Sequence, residues 1–490
     1  MVAVARRCAT CKARKIKCDQ DWPACGQCKS RDKECPGSPR KVKFMPLRTL
    51  PEKKTKSKDN SVQIAERSEN DIRTRDHPNH LTGYRLLDYE HVMSPCLAWS
   101  VSKQLVQTIA IDNDGSSFFA SCSYIEDVPR LLDSSPALTA TIACCLDACQ
   151  RTRLFPRCSR TLDARLYGRA LTTINEALER CPSQTSTFLA VVLLARMESL
   201  LCSRQLAQLP SWSVHASGIC DLLRSRGAFD PGDRAGHLAV LESAGPIIGD
   251  SVLRGEDCFL ASSEWQEGLR PWLRVGEQGS DSIVSRVFAG LAQLPKLLAS
   301  VRRYRRRIDD VVGAIEVAEL AISLHEELQA IDRSLERADF PSMAIGPPLW
   351  LDIDAPVSKV YQRPDPDNAR AMTWNAILAI IVSKVLILLK SSPVHVEGVQ
   401  RLHIADLQAD ARSHSERVWM LSEEARRKGV TTYYFYPGAL CSTYEFATND
   451  NERDWIVELM NDIMSDTWLE EVWTHESVRG VSLKLAGKLD

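Results

Sequence analysis

The sequence predicts a mainly α protein in three parts. These are a small cysteine-rich N-terminal module at residues 1–40, a flexible basic linker at 41–84, and a large all-α domain at 85–490. Three observations predict it. Six cysteines fall within the first 35 residues and repeat one spacing. A polar, proline-bearing stretch follows them. Beyond it, apolar residues recur every three or four positions, the period of a helix. The chain has 490 residues, 44% hydrophobic and 26% charged. That composition excludes disordered, collagenous and fibrous classes, and the length allows about two to four domains.

Residues 1–35 are rich in Cys and Lys and poor in apolar side chains, so a hydrophobic core cannot fold them. A metal or a covalent bridge must. The next stretch carries Pro36, Pro39, Pro46 and Pro51 and the lysines of 53–58, the composition of a linker. Val42, Phe44, Met45, Leu47 and Leu50 make no repeated heptads, so no coiled coil follows the cysteines.

Leu162, Leu166, Ala170, Ile174 and Leu178 recur every four residues, and Cys181-Pro182 closes that helix. Phe188–Leu194 is apolar all round, the mark of a helix buried between others. Leu320, Leu324, Leu328, Ile331 and Leu335 form a stripe that ends near Pro341. The Pro-rich stretch 338–367 reads as a surface loop. Ile404, Leu407, Ala411, His414, Val418, Leu421 and Ala425 read as a core-facing helix rather than a coiled-coil seam, because Ala and His are weak seam residues. Thr431–Tyr436 is a β-prone run that stands alone.

Charge is divided unevenly. The total is −1, but residues 1–60 hold 17 Lys or Arg against 6 Asp or Glu, a net of +11, which leaves −12 on the rest. A basic end on an acidic body is the asymmetry expected when one end meets a polyanion. Met1–Arg7 carries no apolar run of signal-peptide length. The longest apolar segment, Ala376–Leu389, is interrupted by Ser383 and Lys384 and reads as a buried helix, too short and too charged to span a bilayer. No membrane partner is expected. The cysteines are expected in a reducing compartment, where the eleven outside the module, such as Cys96, Cys202 and Cys441, read as core residues.

The six N-terminal cysteines are Cys8, Cys11, Cys18, Cys25, Cys28 and Cys35. They spell C-x2-C-x6-C twice. Structural zinc takes four tetrahedral ligands. Two zinc ions need eight ligand positions, and six thiolates supply them if two thiolates bridge. Symmetry puts the bridges at equivalent members of the two units, such as Cys8 and Cys25. Metal binding supplies the missing folding energy, about 10–16 kcal/mol in small zinc domains. Three disulfides are the competing reading, disfavoured by a reducing compartment and by the lysine-rich filler.

The stretch from Cys8 to Asp19, with Pro23 two residues before the fourth cysteine, resembles the fungal zinc binuclear cluster transcription factors. The resemblance covers about 30 residues. It implies two bound zinc ions, bridges at the first and fourth cysteines, and a cluster that sits in the DNA major groove and reads a CGG-like triplet. Lys15 aligns with the family's base-reading lysine, and lysine donates well to guanine O6 and N7. Arg14 aligns with a residue that offers its backbone carbonyl to a cytosine amine. Lys12 and Lys17 are assigned to phosphates, which position but do not specify. Arg6, Arg7, Lys29, Arg31 and Lys33 are weaker candidates. Lys41, Lys43 and the lysines of 53–58 fit a nuclear import signal, a phosphate contact or a solvated linker.

A second resemblance lies in the body. Trp212-x-x-His215-x-x-Gly218 with Leu222-Leu223-x-x-Arg226-Gly227, Cys258-Phe259-Leu260 with Trp265, and Glu452-Arg453-x-Trp455-Ile456 are similar to the helical regulatory domain found behind many fungal zinc clusters. The arginines of 302–307 read as a surface face pairing with acidic neighbours.

The reading is therefore a nuclear, sequence-specific regulator of RNA polymerase II transcription, with one pathway or gene cluster as its expected target. Its expected partners are double-stranded DNA and the transcription machinery, with a homodimer as an option. No P-loop, G-x-S-x-G elbow or H-E-x-x-H motif is present, and His215 has no acid at recognisable spacing, so the chain is read as non-enzymatic. The alternative is a metabolic enzyme or effector-binding domain fused to a nucleic-acid-binding zinc module.

Overall fold

In the computed structural model the described residues are 10–11, 14, 16, 26–31 and 33 near the N-terminus. In the body they are 95–111, 118–119, 122–154, 163–201, 211–273, 283–337, 344–348, 355–364, 366–432, 435–464 and 472–487. The linker at 41–84 lies outside them. The module contributes α1 (Gly26–Lys29). The body opens with α2 (Pro95–Ile111), α3 (Pro136–Leu154), α4 (Ala164–Arg180), α5 (Thr185–Leu201), α6 (Ser211–Arg226), α7 (Arg234–Arg254) and α8 (Ser263–Leu269). The long helices α9 (Ile283–Arg305), α10 (Val311–Arg337) and α11 (Pro366–Lys390) follow. It closes with α12 (Glu397–Gln400), α13 (Ile404–Trp419), α14 (Ser422–Thr432), α15 (Tyr436–Thr443), α16 (Asp450–Met464) and α17 (His475–Leu485).

The helices begin and end where local chemistry dictates. The α4 stripe buries Ala170 and Ile174, and the Asp163 carboxylate accepts from the Arg165 and Leu166 amides to cap the free N–H groups of the first turn. Every side chain of Phe188–Leu194 is buried. In α10, Leu324, Leu328 and Ile331 face the core. The stripe from Leu407 to Ala425 is core-facing as expected, but it is two helices, because the chain turns at Met420–Leu421.

Strand is rarer and elsewhere than its propensity suggested. Thr431 and Thr432 end α14, and Tyr436 opens α15, so the β-prone run is not a strand in its described residues. The described strands are a two-residue antiparallel ribbon, Ile345–Gly346 against Val360–Tyr361. It lies inside the stretch read as a loop. Val360 and Tyr361 are buried, and the Tyr361 amide donates to the Met420 carbonyl at 2.9 Å.

Helix α11 organises the body. Trp374, Leu378 and Val385 belong to a core shared with α2–α10, while Ala369 and Ala376 belong to a second core built by α13–α17. The helix exceeds the apolar run read from the sequence. Asn368–Lys390 is long and apolar enough to cross a membrane, but 78% of its apolar window is buried within the protein. Lys384 is tolerated there because its ammonium meets three acceptors. These are the Ser442 carbonyl at 2.9 Å, the Ser482 hydroxyl at 3.0 Å and a Glu445 carboxylate oxygen at 3.1 Å.

A half-buried ion network fastens α10 to α13. Asp332 accepts from Arg417 at 2.7 Å and lies 3.2 Å from His414 Nε2. Burial pushes the Asp332 carboxyl up, but the hydrogen bond and charge of His414, with Arg417, outweigh it and hold the group at about 2. A depressed carboxylate stabilises the fold above its unfolded value of 3.8, and that contribution fades as pH falls toward 2. Asp332→Asn is thus expected to destabilise the chain by about 2 kcal/mol near neutral pH. The difference from wild type should shrink between pH 4 and 2 in denaturant titrations.

Candidate metal centre and nucleic-acid interface

The two halves of the N-terminal module share one local geometry. Thr10 and Cys11 are helical, as is the α1 turn that carries Cys28. The Ile16 amide donates to the Cys11 carbonyl at 3.1 Å, and the Lys33 amide donates to the Cys28 carbonyl at 3.0 Å. Both bonds span five residues, and both members of the second are 17 positions after their counterparts. The cysteine spacing repeats at the same offset, so the doubled unit of the sequence is a doubled unit of backbone.

Cys11 and Cys28 occupy equivalent positions in the two units and face each other. Both are fully buried, and their sulfurs lie 3.9 Å apart. A disulfide would need about 2.05 Å, so the two sulfurs are not joined. Two converging sulfurs in a segment with no hydrophobic core suit zinc. Cys8, Cys18, Cys25 and Cys35 lie outside the described residues, and so does the assignment of bridges to Cys8 and Cys25.

Of the candidate DNA contacts, Arg14 is described, and Lys12, Lys15 and Lys17 lie outside the described residues. The Arg14 amide donates to the Thr10 carbonyl at 3.2 Å. Its side chain is half-buried, with Nη1 shielded from solvent. Lys29, Arg31 and Lys33 are exposed on the second unit.

The body's cysteines differ in kind. Burial pushes the thiols of Cys122, Cys144, Cys220 and Cys441 up to about 12, so they stay protonated and serve as packing groups.

The structure also brings together groups that sequence spacing could not. His215 does have an acid partner: its Nε2 lies 2.7 Å from a Glu198 oxygen, and the Tyr167 hydroxyl donates to the other at 2.9 Å. The three residues come from α6, α5 and α4 and are buried where those helices pack. Glu242 is likewise buried and accepts from the Ser123 hydroxyl at 2.7 Å, with Arg196 at 3.4 Å. Asp332, Asp410 and His414 hold ligand atoms within 4.8 Å of one another, but Arg417 already neutralises Asp332. A cleft of about 400 Å³ is lined by Tyr444, Glu445, Arg453 and Arg479.

The signature residues of the body take packing positions. Gly227 closes α6 at φ +80°, a left-handed conformation that favours glycine. The Arg226 guanidinium lies 3.6 Å from the Phe229 ring centre and bonds the Ser183 carbonyl. Glu452 receives both ends of the Arg412 guanidinium, at 2.6 and 2.7 Å. Trp455 packs edge-on against Trp419, with ring centres 6.2 Å apart. The arginines of 302–307 behave differently from expectation. Arg303 approaches Glu316 at 4.0 Å, but Arg302 and Arg305 donate to the carbonyls of Val252 and Gly487. Carbonyls at helix ends are natural partners for arginines.

Residues 6–43 match the family model of the fungal Zn(2)-Cys(6) binuclear cluster domain. The match stops before the helical body. No curated protein and no solved structure matches the chain. The repeated cysteine spacing, the repeated backbone bonds and the converging sulfurs therefore belong to a zinc-binding domain of known type: residues 6–43 are a fungal Zn(2)-Cys(6) binuclear cluster domain, which supports a DNA-binding transcription regulator in general.

Proposed function

We propose that this protein reads CGG-like triplets in the major groove and regulates RNA polymerase II genes, those of one pathway or gene cluster, in the nucleus. The observation that carries the proposal is the doubled unit: one 17-residue offset governs both the cysteine spacing and the backbone bonds of the two halves. Cys8, Cys11, Cys18, Cys25, Cys28 and Cys35 hold two zinc ions. Bound zinc acts structurally, fixing the backbone of a segment that cannot fold on apolar contacts. Lys12, Arg14, Lys15 and Lys17 lie between two ligands and are preorganised by them. Lys15 reads base edges, Arg14 offers its carbonyl, and Lys12 and Lys17 hold phosphates.

In this reading the domains divide at 1–40, 41–84 and 85–490. The body is a non-catalytic regulatory domain that meets the transcription machinery, and a homodimer would read two triplets. The buried setting of the His215–Glu198–Tyr167 cluster supports a packing role for it rather than a reaction.

The test is a comparison of DNAs. Lys15→Ala should weaken binding to a CGG-containing duplex by about 1–3 kcal/mol more than to random duplex. Lys12→Ala and Lys17→Ala should weaken both alike and lower the salt slope by about 0.9 per lost contact. Equal losses on both DNAs for Lys15→Ala would reduce it to a phosphate contact.

A further inference from the structure

Helices α10 and α13 bring one imidazole and two carboxylates together beside a buried amide. His414 is 1% exposed, and its Nδ1 lies 3.0 Å from the Asp410 carbonyl oxygen. That bond assigns the proton to Nδ1 and leaves Nε2 with its lone pair. Nε2 is shielded from solvent, has no aligned hydrogen-bond partner, and lies 3.2 Å from an Asp332 carboxylate oxygen. The ligand atoms of Asp332, Asp410 and His414 lie within 4.8 Å of one another. Asn375 adds a second orphaned atom. It is 2% exposed and donates to Asp332 Oδ1 at 3.4 Å, while its own Oδ1 is buried without a hydrogen-bond partner.

A buried lone pair that faces a carboxylate needs a cation between the two. A proton on His414 is one such cation, and it makes the network described above. The surroundings suit a larger one. A metal-bound histidine donates its other ring N–H to a carbonyl or carboxylate, as His414 does to the Asp410 carbonyl. A ligating carboxylate is itself held by a further hydrogen bond. Arg417 holds Asp332 in this way, donating to Oδ1 at 2.7 Å while Oδ2 faces the histidine. Arg417 balances one of the two carboxylates, so with His414 neutral the cluster keeps one negative charge. At Zn–N and Zn–O distances of about 2.0–2.2 Å, one ion reaches both atoms across the 3.2 Å separation.

We propose that Asp332, Asp410 and His414 form a binding site for one divalent transition-metal ion of the zinc class, separate from the N-terminal module. One imidazole and two carboxylates supply three ligands and leave the fourth tetrahedral position to water. The Asn375 amide beside Asp332 offers that water an acceptor. The ion pins α10 to α13 in a body that is already packed, so it raises stability without being needed for folding. The inference rests on the body's residues and not on the DNA reading.

Zinc titration of the full-length chain, followed by native mass spectrometry and by thermal melting, tests it. The wild-type chain should bind one zinc ion more than His414→Ala, whatever the module holds. Asp410→Asn is a milder change at a half-buried position, and it decides the matter if His414→Ala misfolds. It should weaken the extra ion by about tenfold or more, since outer-shell partners alone count for about 10–100-fold. Added zinc should raise the melting temperature of the wild-type body and leave that of His414→Ala where it was. Circular dichroism checks that the variants are folded. Equal zinc counts in wild type and His414→Ala would overturn the proposal and leave a protonated pair. So would an Asp410→Asn chain that holds the extra ion as tightly as wild type, or a wild-type melting temperature that zinc does not move.

Discussion

Stripping zinc from the full chain is expected to abolish duplex binding while leaving almost all of the helical circular dichroism signal. The module depends on thiolates that must be held by metal, as the converging sulfurs of Cys11 and Cys28 indicate. The body depends on buried apolar helices such as α5 and α11, which no chelator touches. Charge points the same way, since residues beyond 60 carry a net of −12 and are repelled by phosphates. Point variants should separate the ligands. If Cys8 and Cys25 are the proposed bridges, Cys8→Ala or Cys25→Ala is expected to cost both zinc ions together, whereas Cys35→Ala should retain one in part. Native mass spectrometry counts the ions, and a mobility shift reads the DNA. A chain lacking residues 1–80 should remain helical and show no affinity at physiological salt. Tight DNA binding by that truncated chain, or collapse of its helical signal on chelation of the full chain, would refute this division of labour.

The second large effect is expected far from the zinc. Trp455→Ala should destabilise the helical body by about 3–5 kcal/mol, the range for removing a large buried aromatic side chain. Trp455 is 1% exposed and packs edge-on against Trp419, so its loss opens a cavity between α13 and α16. The same two helices are fastened by Arg412 and Glu452, where a carboxylate accepts both ends of one guanidinium. Arg412→Ala should act in the same direction by leaving Glu452 unpaired in a part-buried site. Thermal and denaturant unfolding measure both changes. Zinc content and DNA affinity should stay at wild-type values if the C-terminal signature is a packing motif. A loss of DNA affinity without a loss of stability would give it another role.

Much of this was legible in the chain itself. The repeated cysteine spacing carried the metal and the family of the N-terminal domain, because ligand geometry is set by a few residues close in sequence. The stripes of α4, α5 and α10 were legible because each buries one face, or every face, with a helical period. Helices α7 and α9 were harder to read. Pro246 and Pro295 sit inside them, and a proline inside an apolar pattern reads as a break. The ribbon at 345–361 was missed because a two-residue strand leaves no alternation to detect, and Pro-rich neighbours read as loop.

The sequence by itself determined what acts locally: six thiolates in a doubled unit, a basic start on an acidic body, and helices of known period. Only the tertiary structure decided what lies together from afar. It set Glu198 beside His215, gave Lys384 its three acceptors inside an apolar helix, joined Asp332 to Arg417 and His414, and left Val311, Val312 and Ile315 uncovered. The reason is physical. A metal site of this kind is fixed by spacing along the chain. The partner of a buried charge, or the cover of an apolar face, is fixed by which helices pack, and residues tens of positions apart carry no local sign of it.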